Sequence, residues 1–93
     1  MTVYVDDMRL PAKVNGISAR WSHLMADTDD ELHTFAKRLG LKREWAQKPG
    51  TWESHYDVTD RLRTAAIRLG AVPIGVFSAE ALALVERRMA QCD

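Results

Sequence analysis

The spacing of apolar residues changes along the chain, and each change marks a predicted element. Thr2–Val5 is β-branched and aromatic, the composition of a short strand, and Asp6-Asp7 ends it. Met8–Gly16 carries Pro11 and Asn15-Gly16 and reads as a loop or turn. From Ile17 to Ala26 the chain alternates with period two, which predicts a strand. Leu32, Phe35, Ala36 and Leu39 then recur at helical spacing. Thr28 and Glu31 stand as a capping box before them, Asp29 and Asp30 fill the first turn, and Gly40 supplies the stop, so a helix over 28–39 is expected. A third strand around Trp45, within Leu41–Gln47, a type II turn at Lys48-Pro49-Gly50-Thr51 and a fourth strand over Trp52–Tyr56 would make a hairpin. Leu62, Ala65, Ala66 and Leu69 restore the helical period, with Asp57 or Thr59 as the cap and Gly70 as the stop. Ala71–Phe77 reads as an edge strand or an extended connector. Ser78 opens a last helix over 78–90, with Leu82, Val85 and Met89 expected to face inward.

These elements specify an α/β fold, a small sheet of three to five strands with three helices. Two strand-to-helix units echo one another. Asp27, Asp30, Leu32, Thr34, Ala36, Arg38, Leu39 and Gly40 recur thirty residues later as Asp57, Asp60, Leu62, Thr64, Ala66, Arg68, Leu69 and Gly70. Duplication and shared helix grammar both account for the matches. If the two strands run parallel, both junctions fall on one sheet edge, where open α/β sheets bind ligands.

Composition narrows the picture further. Ninety-three residues make a single domain, 1–93, near the lower limit for a self-sufficient core, so a homodimer is the default expectation. Lys plus Arg and Asp plus Glu number 13 each, a balance that speaks against a nonspecific nucleic-acid binder. The single cysteine, Cys92, allows no internal disulfide. Neither a signal peptide nor a bilayer-length apolar run is expected, which places the protein in the cytoplasm with no membrane partner.

Candidate chemistry gathers at the junctions. If extended, 23–27 presents His23 and Asp27 on one side, and 55–57 does the same for His55 and Asp57. An imidazole beside a carboxylate can serve acid–base catalysis or hold a metal. His55, Asp57 and His23 are therefore the catalytic candidates. Asp6, Asp7, Asp27 and Asp57 are candidate ligands for a hard cation such as Mg²⁺ or Mn²⁺. Arg9, Tyr56 and Arg63 are candidates for holding a phosphorylated ligand. Each has a plainer role as well: Asp27 and Asp57 as helix caps, His33 as a surface or packing residue, and Trp21, Trp45 and Trp52 as core.

Tyr4-Val5-Asp6-Asp7-Met8-Arg9, Ala26-Asp27-Thr28, Glu31-Leu32-His33, Phe35-Ala36, Trp45, Gln47, His55-Tyr56-Asp57-Val58, Arg63 and Leu69-Gly70-Ala71 together resemble a family of small bacterial and phage proteins, the domain of unknown function numbered 4031. The resemblance covers residues 3–71, and the tail from Val72 reads as peculiar to this chain. It implies only that these polar residues occur together, and it supplies no activity. The expectation is a phosphate-ligand or nucleotide site at the strand-to-helix edge, with metal-assisted phosphoester hydrolysis as its chemistry. The alternatives are a small-nucleotide-binding or regulatory module without turnover, and a dimeric interaction protein.

Overall fold

The computed structural model describes residues 2–91. Cys92 lies outside the described residues. The sheet has five strands: β1 (Val3–Val5), β2 (Leu10–Val14), β3 (Ile17–Ala26), β4 (Tyr56–Thr59) and β5 (Val72–Pro73). The helices are α1 (Asp29–Arg38), α2 (Asp60–Arg68) and α3 (Ala79–Gln91). The expected α/β class and the three helices are found. Among the described residues no helix is long and apolar enough to cross a membrane.

The ten-residue strand β3 is the spine. Its first half pairs antiparallel with β2, from Val14↔Ile17 to Leu10↔Trp21. Its end pairs antiparallel with β1, from Val5↔Leu24 to Val3↔Ala26. Its middle, Trp21–Leu24, pairs antiparallel with β4. β5 adds a parallel edge to β1. Met8–Gly16 is thus mostly strand rather than loop. Pro11 and Lys13 sit in a solvent-facing strand, and only Asn15-Gly16 turns, both at positive φ (50° and 81°) as a two-residue hairpin demands.

Alternation along β3 buries Ser22, Leu24 and Ala26 on one face. These join Val5, Tyr56 and Val58 under Leu32, Phe35 and Ala36 of α1 and Ala66 of α2. Full burial of an aliphatic side chain here contributes roughly 2 kcal/mol. The other face, with Tyr4, Trp21, His23, Met25 and Asp57, is only half-buried.

Several expectations fail for local reasons. The segment around Trp45 is a short 3-10 turn (Arg43–Trp45), and the proposed hairpin reduces to one bridge, Gln47↔His55. The Pro49-Gly50 turn forms as expected, with Gly50 at φ 78° and the Thr51 N–H donating to the Lys48 carbonyl at 3.3 Å. The strand after it starts at Tyr56, four residues later than Trp52, and Thr59 rather than Asp57 caps α2. β3 and β4 run antiparallel, so the two junctions do not share an edge. Trp45 and Trp52 are exposed rather than core. On α3 the buried residues are Leu84 and Arg88, while Leu82 and Met89 face outward. Arg88 wins its place because its guanidinium reaches the Asp29 carboxylate and the Asp27 and Thr51 carbonyls.

Candidate metal centre on the half-buried sheet face

Between β1 and β2, four residues, Asp6–Arg9, lie opposite two, Ser22 and His23. This wide bulge re-aims the chain. Asp6 N–H still donates to the His23 carbonyl at 3.0 Å, but Arg9 turns to φ 46° and its N–H goes to Ser22 Oγ at 3.1 Å. Bulges of this kind redirect side chains beside sites. Here the bulge folds the Asp6 carboxylate back over His23. Only 2% of Asp6 is exposed, and its carboxylate accepts from the backbone N–H of His23 (2.9 Å), the N–H of Met8 (3.2 Å) and the ring Nδ1 of His23 (2.6 Å). Burial opposes ionisation of Asp6, yet these donors outweigh it and hold the carboxyl below the usual range. The hydrogen bond to Asp6 in turn raises the His23 imidazole above its ordinary value, against the opposing effect of burial.

Next to His23 the β3–β4 register places Asp57 directly across the ladder. His55, held by its backbone pairing with Gln47, brings its ring to 5.0 Å from that of His23, edge to face. Its Nδ1 lies 2.6 Å from the Glu53 carbonyl, and its Nε2 lies 3.4 Å from Asp57 Oδ1. That contact with His55 keeps the Asp57 carboxyl below its ordinary value in spite of partial burial. His23, His55 and Asp57 each offer one donor atom, all within 4.8 Å of one another. A bound ion with ligands at about 2.0–2.2 Å would draw donors to roughly 3.4 Å apart, a closing movement of about an ångström or so.

The tautomers follow from the acceptors. A carboxylate and a carbonyl cannot donate, so each Nδ1 carries the proton and each Nε2 is the atom left for a metal. Histidines that ligate metals are oriented this way, with the second nitrogen donated to a carboxylate or carbonyl.

The other candidates go elsewhere. Asp27, four residues beyond His23 and so about 13 Å along the strand, accepts from Tyr4 Oη (3.4 Å) and Arg87 (3.0 Å). Asp7 accepts from the Val76 N–H at 2.8 Å and ties down the loop after β5. The expected cluster of Asp6, Asp7, Asp27 and Asp57 is therefore not assembled; only Asp57 stands among the three grouped donors, with Asp6 behind His23. Arg9 is engaged by Asp60 through two hydrogen bonds of 3.0 and 2.8 Å. Tyr56 points to the core face, where its hydroxyl meets His33 Nδ1 at 2.8 Å. Arg63 donates Nε to the Asp6 carbonyl at 2.7 Å, which fastens the bulge to α2, while no described residue accepts from its terminal nitrogens.

Missing from the sequence reading were Asp6 as the partner of His23 and Glu53 as the residue that orients His55. No spacing rule reveals a backbone carbonyl two residues upstream, but the crowding of Asp6 and Asp7 at a strand end was a usable hint of a bulge.

Neither a curated protein nor a solved structure matches the chain. The family match runs on past Ala71 into α3, so residues 72–88 are shared rather than peculiar to this chain. The match, to proteins of unknown function (DUF4031), spans residues 3–88, and the chain belongs to that family.

Proposed function

We propose that His23, His55 and Asp57 form a mononuclear metal centre that supports hydrolysis of a phosphoester. One observation carries this reading: both histidines have their Nδ1 atoms committed to fixed acceptors, at 2.6 Å each, while one donor atom from each of His23, His55 and Asp57 falls within 4.8 Å of the others. Two imidazoles and one carboxylate favour Zn²⁺ or Fe²⁺, tolerate Mn²⁺ and suit Mg²⁺ poorly. A metal held by three protein ligands retains open positions and, when bound, lowers the pKa of a coordinated water. Asp6 fixes the His23 ring and strengthens it as a donor. Arg63, whose Nε donates to the Asp6 carbonyl at 2.7 Å, secures the bulge that carries Asp6.

A metal-free reading rests on the His55 Nε2–Asp57 Oδ1 contact of 3.4 Å, an imidazole–carboxylate contact that needs no ion. The pair then only pins β4 to the bridge at Gln47. The two separate on metal titration. Metal-stripped protein should gain roughly 2.7 kcal/mol at a Zn²⁺ or Mn²⁺ concentration one hundred times its Kd. That is a rise of about 10 °C or more in Tm for a domain of this size. The gain should vanish in His23→Ala and in Asp57→Asn. Absence of a shift with Zn²⁺, Mn²⁺ and Fe²⁺ rules out the centre. Absence of turnover of an aryl phosphodiester by loaded protein rules out the hydrolase reading alone.

A further inference from the structure

A second feature lies on the helical side of the sheet. The end of α1 and the 3-10 turn enclose a groove of about 840 Å³ lined by His33, Lys37, Leu41, Lys42 and Arg43 among others. Its charge is one-sided: Glu44 is its single acidic lining residue. Lys37, Lys42 and Arg43 make no ion pair among the described residues, a condition they share with Lys13, Arg20, Arg38, Arg61, Arg63 and Arg68; what sets them apart is their grouping along one groove. Lys37 has a local explanation, since cations in the last turn of a helix offset its dipole. Lys42 and Arg43 lie beyond that helix, where this reason does not reach. The charge of Arg43 is felt by His33, whose imidazole is lowered first by burial and then by that guanidinium.

An aromatic side chain stands next to the groove: Trp45 follows its lining residue Glu44 in the chain and is 45% exposed, and Lys42 Nζ lies 5.5 Å from its ring centroid, so an incoming base would take the lysine's place on that face or stack on the other. Two residues on, Gln47 pairs with His55. A line of cations beside an exposed indole is the combination that tracks a phosphate backbone while stacking a base.

We infer that this groove binds single-stranded nucleic acid, with phosphates along Lys37, Lys42 and Arg43 and a base on Trp45. Overall neutrality, which argued against a nonspecific binder, reflects segregation: acidic Asp29, Asp30 and Glu31 open α1 and the basic residues close it. The inference is independent of the metal centre.

The test is fluorescence anisotropy with a labelled oligothymidylate of about twelve nucleotides, a length within the usual site sizes. It is run at low salt in EDTA, so that loss of the metal centre cannot affect it. Binding is expected, with log K falling against log salt with a slope of about −2 for three phosphate contacts. Lys42→Glu with Arg43→Glu should weaken it at least tenfold and flatten the slope, and Trp45→Ala should weaken it about tenfold. Arg68→Glu, on α2 outside the groove, should change it less than twofold. Circular dichroism melts of each variant control for folding. No binding at low salt overturns the inference, as does binding indifferent to the Lys42/Arg43 exchange. Displacement of the oligonucleotide by equimolar inorganic phosphate or nucleoside triphosphate also overturns it, and assigns the groove to a small anion.

Discussion

The two strand-to-helix units that echo one another in sequence end alike and begin differently. At the C-terminal ends the hydrogen bonding is the same. Gly40 and Gly70 take φ of 91° and 112°, and their N–H groups donate to Lys37 and Ile67 at 3.1 Å each. The next residues, Leu41 and Ala71, donate to Ala36 and Ala66 at 2.9 Å each. At the N-terminal ends the caps are Thr28 and Thr59, 31 residues apart in a 30-residue echo. That one-residue slip, with the antiparallel course of β3 and β4, sends the matched aspartates to different places. Asp27 follows its strand and pairs with Arg87; Asp57 lies within β4, facing His23. Shared residues thus conserve helix grammar and not chemistry, because a side chain's surroundings depend on register rather than on its place in a motif.

The largest way to break the comparison is at Arg88, for which the second unit has no counterpart. Its buried guanidinium binds the Asp29 carboxylate and the Asp27 and Thr51 carbonyls. Arg88→Met should cost about 3–5 kcal/mol, read as a fall in Tm of roughly 15 °C or more. Arg88→Lys should restore only part, lacking the planar fork.

Next come the paired aspartates. Asp57→Asn should reduce metal affinity by more than about a hundredfold and Asp6→Asn by about ten- to a hundredfold. Asp27→Asn should leave affinity within about twofold, since its partners are Tyr4 and Arg87. Calorimetry of the three proteins separates them; equal losses at Asp27 and Asp57 would restore the idea of matched junctions.

Gly40→Ala and Gly70→Ala should each cost about 1–2 kcal/mol, from positive φ alone. A Cβ there meets nothing within 4 Å. Similar values by chemical denaturation would confirm that the ends are equivalent. Thr28→Ala and Thr59→Ala should cost about 1 kcal/mol each. Thr28 should cost the more, because it also donates to Glu31 Oε1 at 3.1 Å, whereas Leu62 holds the matching position after Thr59.

The last effect is set by pH and is read in the shape of the stability curve rather than in its height. Burial works against the Asp29 carboxylate, but the Gly50 N–H and Arg88 more than compensate and hold its pKa below the ordinary value. A depressed carboxyl stabilises fully above its unfolded pKa near 3.9 and loses that contribution as pH falls through the folded value. Asp29→Asn should therefore flatten the acid limb of stability below about pH 4 and leave its shape at neutral pH unchanged.

What the sequence revealed, and what it hid, divides along the same line. The helices were legible because capping residues, apolar spacing and stop glycines act within a few positions of one another. Ile17–Ala26 was legible because one buried face imposes alternation. β2 was not, for Pro11 and Lys13 are tolerated only because that strand meets solvent. The segment around Trp45 was misjudged because an exposed tryptophan resembles a buried one in sequence. As for the site, His23, His55 and Asp57 were named from strand parity, which requires no knowledge of pairing. Asp6 as the partner of His23, and the dispersal of Asp7 and Asp27, depend on how separate segments align, and no local pattern carries that.

The register numbers hold one more lesson. Val5 faces Leu24 and Leu10 faces Trp21, so the chain between them is two residues longer than an unbroken ladder requires. An even surplus leaves side-chain parity untouched on both flanks. Excision of Asp7 and Met8 would thus join β1 to β2 as one continuous ribbon with every inward residue still inward. What would go is the bulge that folds the Asp6 carboxylate back over the His23 ring.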